Sequence, residues 1–230
     1  MTANWESEIA TERARDRARA LAADSLNRDD PLGWFEPLYA GAGGDRTAVP
    51  WADLAPNPHV VDWFARTGRR GNGERALVVG CGLGDDAEEL ARRGFDVDAF
   101  DISPTAITWC RQRFPWTLVR YHVTDLLASP AAWDGVFRFV LEVYTLQVLP
   151  LDLRLRATRR IADVVAPGGT LLVVCRGREP EDEPGRMPWP LTRTNLDCFV
   201  THGLREQSFE DFLDDEDPPA RRFRAVYMRP

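Results

Sequence analysis

The 230-residue chain contains no lysine: all 29 of its basic residues are arginine. That absence removes the phosphate-gripping lysine of a Walker loop, the Schiff-base lysine of pyridoxal enzymes and the lysine of a tyrosine–lysine dehydrogenase pair. Histidine is nearly as scarce, with His59, His122 and His202 far apart. The four cysteines, Cys81, Cys110, Cys175 and Cys198, include no C-x-x-C spacing. A metal site is therefore not expected, and reduced thiols fit a cytoplasmic chain. There is no G-x-S-x-G elbow. No apolar run approaches membrane-spanning length, and the first residues are too polar for a signal peptide. A net charge of −7 with a pI near 5.1 argues against nucleic-acid or anionic-membrane partners and leaves small molecules. The sequence gives no reading of oligomeric state.

What is present is concentrated between Glu74 and Pro104. Ala76–Val79 is a short apolar run that reads as a buried parallel strand. Gly80-Cys-Gly-Leu-Gly84 interrupts it with alternate glycines, and Asp85 opens an amphipathic helix that Gly94 stops. Val97–Phe100 reads as a second strand, with Asp101 at its carboxyl end. This is half of a nucleotide-binding βαβ unit. Its glycines allow close backbone approach, and the acid can hold a pair of ribose hydroxyls. A dinucleotide turn wants G-x-G-x-x-G, but here the required third position is Asp85. Asp85 and Asp86 put negative charge where a pyrophosphate would sit. A ligand carrying an ammonium and a sulfonium suits that charge better, which favours S-adenosylmethionine over NAD.

The remaining chain alternates strands and helices. Glu6–Ala23 reads as a charged helix docked along a stripe with Ile9 and several alanines. Residues 31–58 are rich in aromatics, proline and glycine. They are read either as an irregular segment packed on the core or as a cover over the ligand, whose ring faces would meet a cation. His59–Arg66 is helical. Ser103 and Pro104 open a helix in cap-then-proline order, running to about Phe114. Strands are expected at Leu118–His122, Val136–Leu141 and Thr170–Cys175, with a helix from Pro150 to Val164 that stops at Ala166-Pro-Gly-Gly169. A short helix, Thr192–Thr201, precedes a final strand pair, Gly203–Phe209 and Arg222–Met228, joined by the acidic stretch 212–219. The expected fold is α/β: a doubly wound, Rossmann-like, seven-stranded and mostly parallel sheet with a terminal antiparallel pair. The helical residues 1–30 precede a single domain, 31–230. Gly80 to Gly84, Asp101, Asp125, Glu142 and Arg176 all fall at the carboxyl edge of that sheet, where such folds bind ligands.

These residues make the chain resemble class I S-adenosylmethionine-dependent methyltransferases, and more narrowly the thiopurine and halide/thiol methyltransferase group. Gly-Cys-Gly-x-Gly-x-Asp is Gly80–Asp86, Asp-Ile-Ser-x-x-Ala is Asp101–Ala106, and Pro-Gly-Gly is Pro167–Gly169. Upstream, Trp34, Tyr39 and Pro50-Trp51 resemble the group's aromatic elements. The resemblance implies S-adenosylmethionine as cofactor, leaving as S-adenosylhomocysteine. It implies cofactor contacts from Trp34, Trp51, Gly80, Gly82, Gly84, Asp86, Asp101, Ile102, Thr124, Asp125, Leu126 and Glu142, with Asp101 on the ribose and Asp125 on the adenine amino group. Glu142 and Tyr144, ending the fourth strand where halide enzymes carry Asp-Tyr, are the candidate catalytic residues. The acceptor implied is a small thiol or other soft nucleophile. Alternatives are O- or N-methylation of a secondary metabolite, or binding without catalysis. The loop 176–191 matches nothing in the group, and Arg176 and Arg178 within it are candidates for an anionic substrate.

Overall fold

The apolar run at Leu77 is an interior strand of a seven-stranded sheet in a computed structural model that describes residues 2–230, with side chains from Thr11 onward. β1 (Arg75–Val79) is buried at all but its first residue. It pairs in parallel with β2 (Asp96–Asp101) and β4 (Phe137–Val143). β3 (Arg120–Val123) extends the sheet beyond β2, and β5 (Val165–Arg176) extends it beyond β4, both parallel. β7 (Arg221–Met228) then runs antiparallel between β5 and β6 (Arg205–Leu213). The order is β3-β2-β1-β4-β5-β7-β6, the mostly parallel sheet with a terminal antiparallel pair expected above. Strand order reverses between β1 and β4, and the crevice outside the carboxyl ends at such a switch point is where open α/β sheets bind ligands.

Helices cover both faces. On one, α6 (Leu151–Val164) and α7 (Arg193–Thr201) bury Ala157, Ile161, Leu196 and Phe199 against Val140, Leu171 and Val173. On the other, α3 (Pro58–Thr67), α4 (Asp85–Arg92) and α5 (Pro104–Arg113) bury Val60, Phe64, Leu90 and Ile107 against Val78, Phe139 and Leu141. Local chemistry sets the helix ends. Ser103 Oγ accepts from the Ala106 N–H ahead of Pro104, and Asn57 Oδ1 accepts from the His59 N–H ahead of an equivalent proline.

Four expectations on boundaries are corrected. The third strand begins at Arg120 rather than Leu118, because Leu118 and Trp116 stand 89% and 93% exposed on the loop before it, while Arg120 is fixed by Asp96 and Asp98. The helix from Leu151 passes directly into β5 at Val165, which pairs with Phe137. Pro167-Gly168-Gly169 is therefore an irregularity inside that strand, not a loop before it. β6 runs on to Leu213, into the acidic stretch read as a connection. α1 (Thr2–Asn27) is longer than 6–23 and buries Ala14, Ala18 and Ala22 as a stripe; Ile9 lies outside the described side chains. Residues 31–58 hold one short helix, α2 (Phe35–Ala40), and a 3-10 turn, Arg46–Ala48. Among the described residues no helix is long and apolar enough to cross a membrane.

Candidate functional site

A cavity of about 340 Å³ opens at the carboxyl ends of β1, β2, β4 and β5, under a roof from α1, α2, the 50–57 segment and the Met187-Pro188 loop. The glycine turn forms its floor. Gly80 and Gly82 line it, with φ of 59° and 54°. A Cβ at Gly82 would come within 3.4 Å of the Tyr39 hydroxyl and 3.9 Å of Trp51 Nε1, so the bare backbone leaves the floor open to a ligand. Gly84 does not line the cavity. It sits at φ 90° where a Cβ would fall 2.5 Å from the Tyr121 hydroxyl, so its role is to let α4 begin against β3.

The acids are held in different ways. Asp101 is buried, Oδ2 accepting from the Gly82 N–H at 3.0 Å and Oδ1 from the Ser103 N–H at 2.9 Å. Burial raises its pKa to about 6 against those hydrogen bonds. Its carboxylate thus shapes the glycine turn as well as facing the cavity. Asp86 Oδ1 accepts from the Asn57 N–H at 2.7 Å and is likewise pushed to about 6 by burial. Asp85 forms a two-pronged pair with Arg113, both contacts 2.7 Å, so its charge is answered within the protein rather than by a ligand. Asp125 caps the turn Leu126–Ala128 by accepting from the Leu127 N–H at 2.8 Å. It shares the cavity wall with Ile102, Thr124 and Leu126.

Of the two predicted tryptophans, only Trp51 reaches the cavity. Its Nε1 donates to the Tyr39 hydroxyl at 3.0 Å, and the two rings meet edge to face. Trp34 is 2% exposed, stacked on Phe35 with ring centroids 4.0 Å apart and packed among Ala18, Ala22 and Leu38. The structure makes it core, and its neighbour Phe35 takes the place on the cavity wall.

Glu142 also lies outside the cavity lining. It is fully buried, with Oε1 accepting from the Thr145 and Leu146 N–H groups at 2.7 and 2.9 Å, while Oε2 has no partner. Burial drives its pKa to about 7. Along β4 it follows Val140 into the face covered by α6, which is why it reaches the turn after the strand and not the ligand. Tyr144 does line the cavity, at φ 63°, a strained value for an aromatic residue, with the Arg222 guanidinium 5.2 Å over its ring.

Asp53, Gln147 and Arg222 line the cavity and were not predicted, while Phe35 and Tyr39 belong to the aromatic segment read, as one alternative, as a cover, without being named as contacts. Arg222 comes from the far end of the chain and carried no local signal. Cys81 lines the floor with a thiol raised by burial, and no histidine or lysine does so. His122 bonds Asp98 at 2.9 Å on the outer side of β2, and His59 lies 3.9 Å from Asp214. Among the described residues no cluster could hold a metal ion.

A switch-point cavity floored by a Gly-x-Gly-x-Gly turn, with an acid ending β2 and β7 inserted antiparallel, defines the class I S-adenosylmethionine-dependent methyltransferase fold. Residues 76–169 match the methyltransferase domain family. The chain is similar to magnesium-protoporphyrin O-methyltransferase of Rhodobacter capsulatus, at 37% identity over 44% of this chain and 53% of that protein. It is similar to probable thiol methyltransferase 2 of Arabidopsis thaliana, at 28% identity over 68% and 67%. In the first of these the chain spans about half the relative's length. An N-methyltransferase from Bradyrhizobium japonicum, solved with S-adenosylhomocysteine, shares the fold with a TM-score of 0.65 and 21% identity, over 85% of this chain and 98% of that one. Residues 76–169 thus match a methyltransferase domain, set in the fold of class I S-adenosylmethionine-dependent methyltransferases.

Proposed function

We propose that the chain methylates a small, soft nucleophile, with a thiol as the preferred acceptor. The observation that carries this reading is the cavity wall itself, which holds carboxylates, arginines and tyrosines but no histidine or lysine. An alcohol must be deprotonated as it reacts, and the usual bases are missing. A thiol with a pKa near 8.5 supplies a useful thiolate fraction at neutral pH without help. The likeness to a thiol methyltransferase over two thirds of the chain supports the same reading.

The residues fit the cofactor. Asp101 would take the ribose hydroxyls and Asp125 the adenine amino group, with Ile102 and Leu126 packing against the base. Gly80 and Gly82 admit the methionine portion, and Tyr39 and Trp51, fixed to each other by their hydrogen bond, wall it from water. When bound, S-adenosylmethionine supplies a methyl group activated by a sulfonium. The protein's part is to hold the acceptor in line with that methyl and to keep water out. The acceptor's proton goes to solvent before reaction, so no side chain has to take it.

One feature favours a second reading, O-methylation. Asp53, in the cavity wall, accepts no hydrogen bond among the described residues, and partial desolvation, with Glu216 and Asp85 nearby, raises its pKa above the ordinary aspartate value, as a general base requires. A panel of thiols, alcohols and amines, read by S-adenosylhomocysteine formation, separates the two. On the thiol reading the pH–rate profile shifts with the pKa of each thiol. Faster alcohols, or a profile fixed by one enzyme group whatever the thiol, would move the assignment to Asp53 and oxygen.

A further inference from the structure

Four arginines line the cavity, Arg15, Arg19, Arg176 and Arg222, and the charges of Arg19 and Arg222 are answered by hydrogen-bonded carboxylates. Arg222 is buried against Asp214 and Glu216. Arg19 pairs with Glu12 and Asp16 at 3.1 and 3.0 Å, and Arg15, exposed on α1, approaches the same Glu12 at 3.6 Å. Arg178, the other arginine singled out in the sequence, is turned away and donates to the carbonyls of Glu179, Asp182 and Pro190, closing its own loop. Arg176 differs. Among the described residues its guanidinium takes part in no hydrogen bond, and its one ion pair is a loose 3.8 Å approach to Glu216, a carboxylate already bonded to Arg222. Its side chain is 34% exposed, and it faces the cavity.

The backbone beneath that side chain is fixed. The Arg176 N–H donates to Gln147 Oε1 at 2.8 Å, its carbonyl accepts from the Leu191 N–H at 2.8 Å, and it sits opposite Arg222 in the β5–β7 pairing. Desolvation and the Arg222 charge pull its pKa below the ordinary arginine value, as expected where cations outnumber the anions within reach. A guanidinium offers five N–H donors in a planar fork. Such a fork, set on a fixed backbone in the wall of a ligand cavity and met only by a loose, shared carboxylate, is arranged for an anion that arrives with the ligand.

We infer that Arg176 is a specificity-determining residue that binds a carboxylate on the acceptor, so that the substrate class is a small acid bearing the nucleophile, such as a mercapto acid. This deepens the thiol reading above and rests on it for the nucleophile, though not for the anion.

The test compares 3-mercaptopropionate with its methyl ester on the wild-type chain, Arg176→Met and Arg176→Lys, following S-adenosylhomocysteine by mass spectrometry. The wild type should favour the acid by about tenfold or more in kcat/KM, the size of one charge-assisted hydrogen-bonded contact. Arg176→Met should lose that preference through KM for the acid, leaving the ester within about twofold, and Arg176→Lys should keep part of it. S-adenosylhomocysteine affinity, by isothermal titration, should be unchanged in both variants. Equal use of acid and ester by the wild type, or an equal loss on both in Arg176→Met, would overturn the inference. A fall in S-adenosylhomocysteine affinity would do so too, by assigning the guanidinium to the cofactor's own carboxylate. If no thiol is turned over, the thiol reading fails separately. Arg176 is then judged by titrating propionate and propionamide into the S-adenosylhomocysteine-loaded protein. Arg176-dependent preference for propionate upholds the carboxylate site, and equal binding removes it.

Discussion

Replacing Glu142 with glutamine should leave methyl transfer almost intact and make the protein more stable, increasingly so as pH rises. The carboxyl is fully buried, one oxygen holds the Thr145 and Leu146 N–H groups, and the other has no partner. Its pKa is raised from 4.5 to about 7 by burial. A group whose folded-state pKa is raised favours the fold most when protonated. That contribution is complete below about 4.5 and is lost as pH rises through about 7. At about 1.4 kcal/mol per pH unit, ionised Glu142 costs the native state about 3 kcal/mol, most of it accruing between pH 5 and pH 8.

Glutamine keeps the oxygen that holds the two N–H groups and cannot ionise. Its amide nitrogen meets the same partnerless space as the proton of a neutral Glu142, so the two proteins should be close in stability at pH 5. By pH 8 the variant should be ahead by about 2 kcal/mol more than at pH 5. Asp86 and Asp101, the other acids whose pKa burial raises to about 6, titrate in both proteins and cancel in the difference. Urea denaturation of each at several pH values measures this, with S-adenosylhomocysteine formation expected to stay within about threefold of wild type. Glu142→Ala is the control, since it orphans two backbone donors at roughly 1–3 kcal/mol each. A stability difference that does not change with pH would refute the buried-carboxylate argument. A hundredfold fall in kcat with S-adenosylhomocysteine affinity unchanged would return Glu142 to the chemistry.

Asp101→Ala should weaken S-adenosylhomocysteine binding at least tenfold and also lower Tm, because it frees the Gly82 N–H as well as removing the proposed ribose partner; isothermal titration and calorimetry read both, and unchanged affinity would remove the ribose assignment. Gly82→Ala should abolish cofactor binding while the chain stays folded by circular dichroism, since the added methyl meets the Tyr39–Trp51 wall at φ 54°. Trp51→Ala should weaken cofactor binding, whereas Trp34→Ala should act on stability, by roughly 3–5 kcal/mol for an emptied aromatic site; the reverse pattern would reinstate Trp34 as a ligand contact. Hydrogen exchange should slow across residues 46–56 when S-adenosylhomocysteine is added, with little change at 35–40, and equal exchange in both states would make the whole segment scaffold.

The sequence made the glycine turn, Asp101 and the mostly parallel sheet with its terminal antiparallel pair legible because each rests on a local rule: a glycine spacing, an acid at a strand end, alternation of strands with helices. Where it misled, the missing information was which way a side chain points. Glu142 follows Val140 under α6, and pleating alone would carry Tyr144 the same way; but Tyr144 lies just past β4, where the chain turns at φ 63°, and its ring goes to the cavity instead. Trp34 and Phe35 are adjacent at the start of α2, so one must face α1 and the other the cavity. Their order depends on how α1 docks. Arg176 and Arg178 differ in the same manner, one bare and one closing its own loop. Arg222 lay beyond local reading altogether, since β7 brings it to the site by pairing with β5.

The segment over the cavity is bolted at two points, and both bolts attach to the ligand-binding turns. Glu36 is one. Burial works against its charge, but hydrogen bonds from Ser103 and Thr105 hold its pKa below the ordinary value and tie α2 to the start of α5, next to Asp101. Asn57 is the other, its N–H held by Asp86 at the start of α4, next to Gly84. Between the bolts, residues 46–56 contribute Trp51 and Asp53 to the wall but only one short 3-10 turn of regular structure. A ligand bound on the Gly80–Gly84 turn therefore touches the elements that hold both anchors of the roof. Asp86 strengthens this connection with pH: below about 6 it is neutral and accepts the Asn57 N–H more weakly, and above that it is charged and grips it. Closing of the roof and cofactor binding should thus share one pH dependence, set by the two buried acids of the floor rather than by the acceptor.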